Sequence, residues 1–431
     1  KPPMVYMKLI LSFNEYLLEK AMNDYNQLIM EGGAAGHMSH PFDETDLTFG
    51  DFKKIIEKGL SGNLHFEEEP TEKTDGQNVF ATVQDGEVKF ARNKTELKYP
   101  MDLKTFKQKF EGHPSKMVEE TFQFAAEDLA KALIKLSAKD LEAFDNGKNF
   151  MNMELIYSKN PNVIYYDRDV IQFHGIKKTD GEGNIIGEES SYAKSIAAAL
   201  EKVKANVGNT FTIIPPQVIK LGKDMNFDQN KAKFFKQVQD LQDRYKLTDA
   251  DEVSMYHEMW WREQIDQNFP GLSQDIKEGL LLRWAYQDKK TLNMRSLDKE
   301  VGKEGAAKVK EFDKISGQKY KENIRPFEDL FLELGSVILK NASNFVAANP
   351  SAEMQRLHNQ IRTEADKIKK GGDVKQVEKV MSELDRLNRI GGIESIIPTE
   401  GIVFRYKGKV MKLTGTFAAI NQLMGIIKYG R

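Results

Sequence analysis

Glu72-Lys73-Thr74-Asp75-Gly76-Gln77-Asn78-Val79 puts a lysine two residues ahead of an Asp-Gly turn and runs directly into an apolar stretch, Phe80, Ala81 and Val83. From His65 to Tyr99 the hydrophobic period is two, which is the strand signature. Asp85-Gly86 separates Ala81-Thr82-Val83 from Val88-Lys89-Phe90-Ala91, and two such residues between strands mark a tight hairpin. A basic cluster, Arg92-Asn93-Lys94, follows. A lysine held this way beside a turn suits an amine that takes up another group covalently.

Around this core the pattern changes twice. Upstream, Met7–Met30 reads as a helix that ends in Glu31-Gly32-Gly33, and Thr48–Leu60 as a second helix with Phe49, Phe52, Ile55, Ile56 and Leu60 on one side. The loop between them, His37–Asp43, reads as a packed or ligand-lining loop rather than a metal site, because a third ligand is missing. Downstream, Met117–Ser137 reads as helix. Phe150–Tyr157, Val163–Tyr166 and Val170–Ile176 read as strands.

From about Ser191 to Arg389 the chain is helical in pattern and highly charged, apart from a strand-like Phe211–Ile219. Its clearest helices are Lys231–Tyr245, Asp251–Phe269, Leu272–Tyr286, Ile324–Ala348 and Ala352–Lys370. Trp260, Trp261 and Trp284 there read as packing residues. Strand pattern returns in Gly401–Tyr406 and Lys409–Thr414 around a Lys407-Gly408 turn, before a closing helix, Phe417–Ile427. The expected units are a helical arm at 1–64, a core at 65–190, a mainly helical insertion at 191–390, and the core's last part at 391–431.

Composition narrows the classes. The chain has 431 residues, 40% hydrophobic and 30% charged, with net charge −2. That length calls for more than one core. The near-neutral balance excludes a global basic field, so nucleic acid would need a local patch. No cysteine is present, which excludes disulfides, thiolate zinc sites and thiol catalysis, and fits a reducing, cytoplasmic setting. No apolar run reaches the roughly 18–20 residues of a membrane span.

Three further charges stand out. Glu154 and Glu400 are isolated acids on apolar strands, and Lys412 sits among apolar residues in Val410-Met411-Lys412-Leu413. Each would be costly to bury without a partner or ligand. The ordered set, Glu72-Lys73-Thr74-Asp75-Gly76, Val88–Leu97, Asn152-Met153-Glu154-Leu155, Val170–Gly175, Thr399-Glu400-Gly401-Ile402-Val403 and Val410-Met411-Lys412-Leu413, resembles the motifs of the covalent nucleotidyltransferase superfamily. The nearest likeness is to bacteriophage-type ATP-dependent RNA ligases. It covers about 67–186 and the last 35 or so residues.

The resemblance implies an α+β fold: a ligase adenylation core, ATP-grasp-like, of antiparallel sheets with a long α-helical insertion. It implies Lys73 as nucleophile for a lysyl-AMP intermediate, with Arg92 and Lys412 stabilising the α-phosphate. Glu72, Asp75, Gly76, Glu154, Phe173 and Lys412 would line the nucleotide site, Glu154 at the ribose and Phe173 on the base. Glu400 would hold Mg²⁺ or Mn²⁺. The partner would be a polynucleotide, RNA in preference, with 5′-phosphate and 3′-hydroxyl ends, in a host cytoplasm if the protein is viral. Val410 stands where the family's last motif has a second lysine. Only 19 residues (431 − 412) follow Lys412, where DNA ligases and capping enzymes place a β-barrel. Other acceptors (DNA, a cap, a protein) and a catalytically silent nucleotide- or RNA-binding protein are the competing readings. His174, on the opposite strand face from Phe173, reads as structural.

Overall fold

The computed structural model describes residues 38–162, 164–188, 195–200, 210–285, 292–294, 297–345, 350–369, 374–389 and 399–429. The helix expected at Met7–Met30, and Val163, Tyr286 and Lys370 of other expected elements, lie outside them. The described chain mixes helices with mainly antiparallel sheets.

Two sheets carry the architecture. Strands β1 (Thr71–Lys73), β2 (Gln77–Gln84), β3 (Glu87–Ala91), β4 (Met101–Asp102), β5 (Asn149–Ile156), β6 (Val170–Thr179), β7 (Ile185–Glu188), β8 (Thr212–Ile214), β9 (Lys220–Leu221), β10 (Ala342–Ser343), β11 (Gly401–Tyr406) and β12 (Lys409–Leu413) follow in chain order. The large sheet has the order β4-β3-β2-β5-β6-β7, with β8 added to β6 in parallel. The small sheet has the order β1-β11-β12, so a strand from near residue 70 pairs with the last hairpin of the chain. Both hairpins turn on left-handed residue pairs, Asp85-Gly86 (φ 51° and 79°) and Lys407-Gly408 (φ 52° and 73°). Such pairs match the right-handed strand twist.

The helices are α1 (Phe49–Leu60), α2 (Lys94–Lys98), α3 (Leu103–Phe110), α4 (Lys116–Leu133), α5 (Ala138–Leu141), α6 (Phe227–Tyr245), α7 (Val253–Asn268), α8 (Gln274–Ala285), α9 (Asp298–Lys340, broken at Gly302), α10 (Pro350–Lys369), α11 (Val374–Arg389) and α12 (Phe417–Tyr429). In α1, Thr48 accepts from the Asp51 N–H while the Thr48 N–H donates to Asp51, a reciprocal cap. The α9 helix begins 26 residues (324 − 298) before the expected Ile324, and Ala306, Val309 and Phe312 of its highly charged first half join the buried core.

The expected strand at Val163–Tyr166 is corrected. Its described residues 164–166 are loop, because Asp75 and not a neighbouring strand takes up the Ile164 N–H.

Alternation decides what each sheet face does. Met151, Met153 and Leu155 of β5 and Ile171, Phe173 and Ile176 of β6 share a core with Phe106 and Phe110 of α3 and Phe122 and Leu129 of α4. On the opposite face, Phe150 packs with Phe80, Ala91 and Leu97 at one end. At the other end Ile156 and Val170 pack with Ile164, Tyr166 and Phe417. Between these two apolar clusters lies a polar row. In the small sheet Ile402, Phe404, Tyr406, Met411 and Leu413 join one core with α1 and α6–α9. Each such side chain withdrawn from water contributes about 1.5–3 kcal/mol, so the hairpin is anchored from behind. Its other face, with Lys73, Val403, Arg405 and Lys412, looks toward the large sheet.

Candidate functional site

Lys73 lies at the end of β1, in register with Gly401 on β11. This register brings its Nζ 2.6 Å from Glu400 Oε2, with both side chains 18% exposed. Gly401 faces Leu413 so closely that an added Cβ would lie 2.3 Å from the Leu413 carbonyl oxygen. Burial pulls the Lys73 amine down, but Glu400, Glu154 and Asp75 outweigh it and hold the amine above its ordinary range. Lys412, in register with Val403, enters the same place from β12. Burial first, and then Lys73, pull its amine down, against Glu400 and Asp43.

The polar row on the large sheet supplies the facing wall. Asn78, Glu154 and Gln172 stand side by side on β2, β5 and β6. Glu154 accepts from the Thr74 hydroxyl, and its Oε2 is 3.1 Å from His174 Nε2. Burial favours the protonated acid, but His174, Lys73 and Thr74 hold its pKa down at about 2. Gly76 passes so near β5 that a Cβ there would come within 2.6 Å of the Leu155 carbonyl oxygen and 2.7 Å of Glu154 Cγ. Only glycine lets the chain turn here with Thr74 on Glu154.

Asp75 does not point its carboxylate at open space. It accepts from Asn162 Nδ2 and the Ile164 N–H, each at 2.7 Å, and its own N–H donates to the Tyr166 hydroxyl at 3.0 Å. It therefore pins the loop after β5 under the lysine. Glu72 is wholly buried, in register with the core residue Ile402, and accepts from the Thr399 hydroxyl at 3.4 Å.

Two of the expected residues go elsewhere. Phe173 is fully buried on the helix-covered face, where a bound ring cannot stack on it. The ring that the same strand turns toward Glu154 is His174, a quarter exposed. Arg92 follows Ala91, whose side chain shares the Glu154 face, so Arg92 turns the other way. Its guanidinium lies over the Phe122 ring at 4.2 Å and its Nε donates to the Asn78 carbonyl at 3.3 Å. Lys407 and Lys409, the lysines just before Val410, point elsewhere and contact Asp51 at 2.6 Å and Glu44 at 2.7 Å.

Sequence reasoning missed the part of His174, and it read His37–Asp43 as a packed or ligand-lining loop without saying what it packs on. The His174–Glu154 contact required knowing which strand face meets the cleft. The segment at Ser39–Asp43 runs beside β12: the Lys412 N–H donates to the Ser39 carbonyl at 2.8 Å, and His40 Nε2 lies 3.2 Å from the Thr414 hydroxyl. Burial pulls the His40 ring down, only partly countered by Asp43 at 3.2 Å. Among the described residues no three His, Asp or Glu side chains form a metal-holding group. Glu400 is a hard oxygen donor in contact with the lysine, which suits an ion that keeps waters and takes its other ligands from phosphate.

The arrangement is two cations and two carboxylates drawn from residues 73, 154, 400 and 412. Chemically it can hold an anion between Lys73 and Lys412 and hydroxyl groups against Glu154. No protein-family model matches the chain, and no curated protein matches it in sequence.

Proposed function

We propose that this chain is an ATP-dependent polynucleotide ligase, with RNA as the favoured acceptor, working through AMP carried on Lys73. The observation that carries the reading is the meeting of Lys73, Glu154 and the pair Glu400 and Lys412 from three separated segments at one polar gap. The proposed core is a nucleotidyltransferase core, and the helical stretch between β9 and β11 would position the substrate.

The chemistry follows from the charges. The Lys73 nitrogen attacks the α-phosphorus of ATP; an N–P bond forms and the bond to pyrophosphate breaks. The amine must first lose the proton that Glu400 now favours, so transfer speeds up as pH rises. Lys412 sits to balance charge growing on the α-phosphate oxygens. Glu154, ionised and braced by His174 and Thr74, accepts hydrogen bonds from the ribose hydroxyls. A Mg²⁺ ion at Glu400 would screen phosphate charge and lower the cost of expelling pyrophosphate. AMP then passes to a 5′-phosphate, and a 3′-hydroxyl displaces it as the strand is sealed.

The decisive measurement is intact-protein mass after incubation with ATP and Mg²⁺. A gain of one AMP that Lys73→Ala abolishes is expected. Nucleotide binding with no covalent gain would favour a silent binding protein and end the ligase reading. Label from GTP in place of ATP, or sealing of nicked DNA but not RNA, would move the protein to another branch of the same chemistry.

A further inference from the structure

Farther along the cleft a second charged group ties the two sheets together. Arg405 lies on β11 on the same face as Val403, and Lys177 lies on β6 in register with Phe150, on the Glu154 face of the large sheet. Arg405 Nη2 and Lys177 Nζ both contact the carboxylate of Glu188, the last residue of β7. Both cations are mostly enclosed, at 19% and 17% exposure. Arg405 Nη1 donates to the Gly408 carbonyl at 3.2 Å. Its Nε is buried, makes no hydrogen bond, and is 3.6 Å from Glu68 Oε2. Burial and then Arg405 pull the Lys177 amine down, to about 8.

Two enclosed cations from facing sheets thus converge on Glu188, and the guanidinium Nε, within ion-pair reach of Glu68, makes no hydrogen bond. That is the donor set of an oxyanion site, with planar arginine geometry on one side and a point charge on the other. Arg405 lies four positions beyond Gly401, which is level with Lys73, about 13 Å along extended strand. The β- and γ-phosphates of an ATP at Lys73 share the chemistry, but the spacing favours a phosphate farther from the reacting centre.

Resting on the ligase reading, we propose that Arg405 and Lys177 form a backbone-phosphate site for the polynucleotide, in which Glu188 stands in for phosphate until the strand displaces it. Glu188 then has a double part. It joins the two sheets when no strand is bound, and it competes with the strand for the same donors.

The test uses the full chain and a 5′-phosphorylated oligoribonucleotide without ATP, read by fluorescence anisotropy across salt concentrations. Lysyl-AMP formation with labelled ATP is measured separately. Arg405→Gln and Lys177→Gln are each expected to weaken RNA binding about tenfold, and to reduce the salt slope by about 0.7 per lost contact. Glu188→Gln is expected to tighten binding several-fold, a gain that damaged folding cannot produce. AMP uptake should stay within about twofold in all three variants.

Unchanged RNA affinity in all three variants, or weaker binding in Glu188→Gln, overturns the site. Slower AMP uptake in Arg405→Gln with RNA affinity intact assigns these donors to the ATP tail and also overturns it. If wild-type protein takes up no AMP while the three variants shift RNA binding as expected, the phosphate site stands and the ligase reading falls.

Discussion

Glu154 is the residue whose charge the fold works hardest to keep. Its pKa of about 2 lies below the ordinary 4.5, so its ionisation contributes stability above pH 4.5 that is lost as pH falls toward 2. The difference is worth on the order of 3 kcal/mol. Glu154→Gln should therefore flatten the acid side of a melting-temperature profile in this window; an unchanged acid limb would show that the contacts from His174, Lys73 and Thr74 do not brace it. Asp75 makes a different prediction. Asp75→Ala strands the buried Ile164 N–H, at a cost of about 1–3 kcal/mol, and releases the loop at Asn162–Tyr166. Faster amide exchange at Ile164 than in wild type is the expected outcome. Exchange at the wild-type rate would mean that Tyr166 holds the loop unaided.

How much of this was legible beforehand depends on how local the signal is. The β2–β3 and β11–β12 hairpins were readable because Asp85-Gly86 and Lys407-Gly408 each need two left-handed residues. The apolar face of α1 followed from 3.6-residue spacing, and its expected core residues Phe49, Phe52, Ile55, Ile56 and Leu60 are all buried. Period-two alternation said that Phe173 and His174 face opposite ways but could not say which way is the cleft. A shift in register where Asn152 and Met153 pair with Gly175 and Phe173 adds to that ambiguity. The Arg405–Glu188–Lys177 group joins positions more than 200 residues apart, and no local pattern encodes it. The close approach of α9 to β12 was equally invisible. A Cβ at Gly335 would lie 2.2 Å from the Thr414 carbonyl oxygen, and the Thr416 N–H donates to Ser336 at 2.9 Å. Gly335→Ala must push α9 off β12 and displace Lys412, two residues before Thr414. AMP uptake should fall at least about tenfold while helix content by circular dichroism is kept. Normal uptake would show that Lys412 tolerates the shift.

The molecule divides by its cores rather than by the order of its segments. α1, the helices from α6 to α9 and the final hairpin bury their apolar faces together, so the strand bearing Lys412 rests on helices from the middle of the chain. Phe331, edge-on to Phe52 at 4.9 Å, sits in that shared core. Phe331→Ala should cost about 3–5 kcal/mol in unfolding and weaken AMP uptake with it. A stable variant that still loses uptake would separate the two roles.

The small sheet also has both of its rims occupied. Ser39 bridges to Met411 along the outer side of β12, and Thr71 bridges to Val218 beside β1, with the Glu72 N–H donating to the Gln217 carbonyl at 2.8 Å. Unclaimed strand rims invite other chains to add on. These two clasps deny a docking rail to neighbouring copies on the very sheet that carries Lys73. Cutting the chain just after Asp43 would lift one clasp, and light scattering should then report clustering at concentrations where the intact chain stays dispersed.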